Sequence, residues 1–84
     1  MPLRATITSF DSIPNLPNVT VVHVDGHFGS DSMNIKLSYD EFEKGYDKWK
    51  GGELIQNAFP TLSAVEREFL MTGMNEGQQK RVFG

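Results

Sequence analysis

The sequence predicts an α+β fold: a small antiparallel sheet of about three strands, then roughly three or four short helices packed on one of its faces. Alternating and valine-rich stretches all fall before residue 38, with Val19-Thr20-Val21-Val22-His23-Val24 the clearest strand. Two Ser-x-x-Glu helix-start signatures, Ser38–Glu41 and Ser63–Glu66, fall only after that point. No internal repeat interrupts this order. Eighty-four residues make one domain, with a strand-rich half over 1–37 and a helical half over 38–84.

The first strand is predicted over Arg4–Phe10, where threonines and an isoleucine favour extended geometry. Simple alternation puts Ala5, Ile7 and Ser9 on one side and Arg4, Thr6, Thr8 and Phe10 on the other. Asp11–Asn18 reads as a loop, because Pro14 and Pro17 forbid a helix and push their neighbours into extended geometry. The valines of 19–24 lie on both faces, as a central strand requires, with helices on one side and room for a partner on the other. Asp25-Gly26 is a turn signal, and Gly29–Ser32 continues as irregular chain. Met33, Ile35 and Leu37 then alternate with polar residues, so the second and third strands form a hairpin with a long tip holding His27 and Phe28.

Ser38 opens a helix in which Tyr39, Phe42, Tyr46 and Trp49 recur at spacings of three, four and three, an aromatic stripe on one face. Gly45 in mid-helix costs about 1 kcal/mol against alanine, which predicts a close contact across it. Gly51-Gly52 ends this helix. Glu53–Phe59 is a short helix with Leu54, Ile55, Ala58 and Phe59 inward, stopped by Pro60. Ser63 opens a third, with Leu62, Val65, Phe69 and Leu70 toward the core and Gly73 as its end. Arg67 falls beside these core positions, and a buried ion pair with a carboxylate such as Glu53 is expected there rather than a catalytic role. A last short helix brings Phe83 back to the core.

A chain of this size buries only roughly 60–65% of its unfolded surface, so the core is thin. The absence of cysteine excludes a disulfide framework and thiolate metal sites, and fits a reducing compartment. No apolar run approaches the ~20 residues of a bilayer span, and Met1-Pro2-Leu3-Arg4 does not open a signal peptide, so a cytoplasmic domain is expected. A net charge of −3 disfavours nucleic acid, since phosphate binding needs a basic face. Lys44, Lys48 and Lys50 make a local patch, but Asp40, Glu41, Glu43 and Asp47 sit among them.

His23, Asp25 and His27 have the composition of an open metal site, two imidazoles and a carboxylate. A turn at Asp25-Gly26 would break their shared face, so no metal and no cofactor is assigned. Ser30, Ser32, His27 and Asp31 are neighbours in sequence, but a loop tip does not hold a nucleophile and its base in register. Gly26 and Gly29 lack the spacing of a phosphate-binding loop. No catalytic constellation emerges, and the protein is read as not an enzyme; a metal-dependent enzyme on the two histidines is the remotest alternative. The aromatic stripe reads first as core and second as a binding face, because tyrosine and tryptophan dominate interface hot spots. Candidate binding residues are therefore Tyr39, Phe42, Tyr46, Trp49 and, at the hairpin tip, Phe28.

Trp49, Gly52, Ile55-Gln56, Phe59-Pro60, Leu62-Ser63, Arg67-Glu68-Phe69-Leu70 and Thr72-Gly73 form a segment that resembles short bacteriophage and prophage proteins. The resemblance spans residues 49–73 and none of the strands, and it implies a phage setting in a host cytoplasm without implying a mechanism. The resulting expectation is a non-enzymatic accessory protein that binds a host protein or another copy of itself. The alternative is a small single-stranded nucleic-acid binder using Lys44, Lys48, Lys50 and Phe28.

Overall fold

The computed structural model describes residues 5–26 and 29–83. Strands β1 (Thr6–Ile13), β2 (Leu16–Gly26) and β3 (Gly29–Ile35) form one antiparallel sheet in the order β1-β2-β3. Helices α1 (Tyr39–Lys50), α2 (Ile55–Ala58), α3 (Ala64–Thr72) and α4 (Glu76–Phe83) follow. The α+β order of strands first and helices second is the one the sequence predicts.

The strands are longer than predicted, and the loop expected over 11–18 shrinks to Pro14-Asn15. Ile13 pairs with Leu16, Pro14 supplies a fixed φ, and Asn15 takes the left-handed φ of 69° that a tight turn demands at its second central position. Pro17 is tolerated inside β2 because β3 begins to pair only at Thr20, opposite Ile35, so no ladder bond to β3 is lost. Asp25-Gly26 and Gly29–Ser32 are strand rather than turn, paired out to Gly26 and Gly29. His27 and Phe28, and with them the expected tip, lie outside the described residues. Gly26 has a different use. A Cβ there would sit 2.6 Å from the Thr72 carbonyl oxygen, so the end of β2 packs backbone against backbone on the end of α3.

Alternation also fails in β1, for a local reason. Ile7 pairs with Val24 and Ser9 with His23, so Thr8 is an extra residue, a β-bulge. Its hydroxyl donates to the His23 carbonyl at 3.2 Å. The bulge flips the face of everything after it. Ile7 (opposite Val24) and Phe10 (opposite Val22) therefore both reach the helix-covered side, where Thr20, Val22, Val24 and Ile35 are buried. Buried Thr20 donates its hydroxyl to the Leu37 carbonyl at 2.9 Å, which removes the cost of an unpaired polar group. The other sheet face carries Val21, His23 and Asp25 with Ser9, Asp11, Ser32 and Asn34 beside them. It is mainly polar, as the solvated side of an antiparallel sheet is.

Both predicted capping boxes are present. Ser38 and Glu41 exchange side-chain and amide hydrogen bonds at the start of α1, and Ser63 and Glu66 do so at the start of α3. Gly73 closes α3 with φ 78° and its amide donating to the Phe69 carbonyl at 2.8 Å. The contact expected across Gly45 exists: a Cβ there would run into the Phe59 ring and lie 2.8 Å from the Ala58 carbonyl oxygen. α2 is shorter than predicted, and Leu54, expected inward, serves as its N-cap and is 61% exposed. A third reciprocal cap starts α4, where Asn75 and Gln78 bond each other's amides at 2.9 Å. Buried Gln79 ties α4 down by donating to the Val65 and Met74 carbonyls. Phe83 does not return to the core. It is 64% exposed, because Gln79 and not an aromatic side chain docks this helix.

Candidate functional site

α1 lays its aromatic stripe against the sheet, and the four rings do not share one environment. Phe42 is fully buried, 4.8 Å from Phe10 and 5.3 Å from Phe59 between ring centroids. Tyr46 and Trp49, toward the end of the helix, are half-buried. Tyr46 meets Phe10 edge-on at 5.8 Å, and Trp49 meets Phe59 edge-on at 6.3 Å. Tyr39 tilts against Phe10 at 5.1 Å and is 38% exposed. Phe10 is therefore the hub of the cluster. Sequence alternation placed it on the wrong side of the sheet, and the only signal that could have found it is the surplus residue between two apolar positions.

Where the last turn of α1 meets the start of β1, Tyr46, Trp49 and Lys50 line a groove with Ala5, Thr6 and Ile7. Its volume is about 260 Å³. Its lining is mainly apolar and aromatic, and among the described residues Lys50 is the only charged one. The Lys50 Nζ lies 4.5 Å from the Tyr46 ring centre and 3.5 Å from Asp47 Oδ1. Both contacts are at the surface, so neither holds the ammonium firmly. Lys44 and Lys48, the other members of the predicted basic patch, do not line this groove.

A larger, shallow depression of about 520 Å³ spans the polar end of the sheet, lined by Thr8, Ser9, His23, Val24, Ser30, Asp31 and Ser32. His23 and Asp25 do share a face here, because the strand runs on where a turn was expected. Their surroundings are already engaged with one another: Ser30 donates its hydroxyl to Asp25, and the Ser32 amide and Asn75 Nδ2 donate to Asp31. Among the described residues no group of three or more His, Cys, Asp or Glu side chains could hold a metal ion. His27 of the metal candidate and Phe28 of the binding candidates lie outside those residues. The depression reads as a solvated sheet face.

α3 carries the one buried carboxylate. Glu66 is 8% exposed; its Oε1 accepts from the Ser63 amide and its Oε2 from the Lys36 amide, each at 3.0 Å. Burial by itself would raise this carboxyl. The two amides, the Ser63 hydroxyl and the Lys36 charge outweigh it and hold the pKa below the ordinary glutamate value. The expected Arg67–Glu53 pair is not formed. Glu53 is exposed, the Arg67 Nε is buried without a hydrogen-bond partner, and Lys50–Asp47 is the one ion pair among the described residues.

Comparison with family models, with curated proteins and with solved structures gave no significant match. Among the described residues no helix is long and apolar enough to cross a membrane.

Proposed function

We propose that this protein is a non-enzymatic binding module that works by protein–protein contact at the groove between α1 and β1, as an accessory protein in a phage or prophage setting. The observation that carries the reading is the division of the aromatic stripe. Phe42 is fully buried in the core, whereas Tyr46 and Trp49 pack against that core with one side and leave part of their rings to solvent around a groove lined by Ile7. Half-exposed tyrosine and tryptophan beside a depression are the residue types that anchor interfaces. The partner is a host protein or a second copy of this chain. Affinity capture from host lysate with the wild type and with Lys50→Glu tests it. A protein retained by the first and lost with the second, at unchanged circular dichroism, is the expected result; equal retention by both removes the groove from the reading.

Single-stranded nucleic acid is the second reading, favoured by one observation. A lysine beside two aromatic rings is the combination that stacks a base and neutralises its phosphate. Against it stand the net charge of −3 and the Asp47 carboxylate already beside Lys50. Binding of a labelled oligonucleotide at low salt, weakening steeply as salt is raised, would support this second reading.

A further inference from the structure

We propose that the outer edge of β1 takes an extended segment of a protein partner as an added strand, with one large apolar side chain of that segment in the Tyr46–Trp49 groove and a neighbouring carboxylate on Lys50. This rests on the groove being the binding site and adds the way a partner is held. β1 is an edge strand, hydrogen-bonded to β2 on one side only. Among the described residues no other segment makes a backbone hydrogen bond along Thr6–Ile13; the nearest, from the Ala5 amide to the Met71 carbonyl, lies just before it. An edge of this kind presents unpaired amides and carbonyls that another strand can satisfy. Thr6–Ile13 contains no lysine, arginine or proline to discourage pairing; its blunting devices are the bulge at Thr8, the charge of Asp11 and a second register shift between Ser12 and Ile13. The β3 edge is the poorer template, since Asn75 reaches Asp31 on it and Glu66 takes the Lys36 amide at its end.

The groove and the edge are one surface, because Ala5, Thr6 and Ile7 line the groove and lead into the strand. A strand laid along this edge would place alternate side chains over it. At about 260 Å³ the groove is smaller than the ~300–1,000 Å³ of small-molecule sites, which fits a single inserted side chain rather than a cofactor. Lys50 sets the charge of the occupant. Its contact with Asp47 is exposed at both ends, so an incoming carboxylate can take it over at little cost. A second copy adding edge to edge would offer its own β1, whose apolar–acidic pair is Phe10-Asp11. Phe10 is committed to its own core against Tyr39, Phe42 and Tyr46, so a segment of a different protein is the better occupant.

A displayed library of random peptides of about seven residues, selected on the full chain and on Lys50→Glu, supplies the probe. Selected peptides should carry a large apolar residue with Asp or Glu close by, and Lys50→Glu should turn the acidic preference basic. The best peptide should shift the backbone amide signals of Thr6–Ile13 together with the indole signal of Trp49. N-methylation of alternate peptide amides should weaken it about tenfold per lost hydrogen bond. A peptide that moves Trp49 but leaves the β1 amides in place and tolerates N-methylation overturns strand addition and leaves the groove reading intact. Peptides that move neither, or a library that yields none, overturn both. Concentration-dependent shifts of the β1 amides without peptide make a second copy the occupant and overturn the choice of partner.

Discussion

Glu66 has two backbone amides to hold, one in its own helix and one thirty residues away at the end of β3. A glutamine in its place keeps one carbonyl oxygen but turns an amino group toward one of these donors. Glu66→Gln should therefore cost about 1.5–3 kcal/mol, the range for hydrogen bonds to a charged group, measured by urea unfolding at neutral pH. The pH dependence follows from the lowered pKa. A carboxyl whose folded pKa lies below its unfolded value contributes fully above the ordinary glutamate range and loses that contribution as pH falls through the folded value. The stability gap between wild type and Glu66→Gln should accordingly narrow on acidification; a gap that is flat or widens contradicts the assigned role. Half of this role was legible in the sequence. The bond to Ser63 is local and shows as a capping box, but the bond to Lys36 joins distant residues and leaves no periodic trace. The misplaced ion pair at Arg67 has the same cause, since adjacency to core positions says nothing about which carboxylate folds near.

At the scale of elements, the punctuation of the first three helices was readable, while that of the strands and the register were not. The two Ser-x-x-Glu caps and the stop at Gly73 depend on a few neighbouring residues and appear where the sequence puts them, whereas the Asp25-Gly26 turn signal is overridden by strand pairing. The length of the strands and the face of Phe10 depend on pairing across the sheet, where one inserted residue reverses every later side chain. Two substitutions test this level. Gly45→Ala gains helix propensity of about 1 kcal/mol but drives a methyl group into Phe59, an overpacking cost of about 1–3 kcal/mol, so a net loss in urea unfolding is expected. A gain would mean that the α1–α2 contact is loose. Asn15→Gly should be near neutral and Asn15→Val should lose about 1–2 kcal/mol, because a branched residue resists the left-handed turn.

For the whole molecule, the sheet separates two surfaces of different kind. One face is closed by the helices around Phe10, Phe42, Phe59 and Phe69, and the other is a polar face that needs no cover. The valines of β2 prompted the expectation of a partner on that open face. Val22 and Val24 prove to be core, and among the described residues an accessible apolar depression lies instead beside Tyr46 and Trp49. This groove was only partly legible: the helix face was evident from spacing, while its β1 wall at Ala5–Ile7 required the fold. Lys50→Glu should leave the free energy of unfolding within about 0.5 kcal/mol of wild type, since the residue is exposed, while changing what the protein binds. Trp49 is the only tryptophan and lines the groove, so its fluorescence reports on the groove directly. The decisive measurement is its emission on titration with a library-selected acidic–apolar peptide and, separately, with a single-stranded oligonucleotide. A saturable shift to shorter wavelength with the peptide, absent in Lys50→Glu and absent with the oligonucleotide, is the predicted result; an oligonucleotide response at low salt with no response to peptide would contradict it.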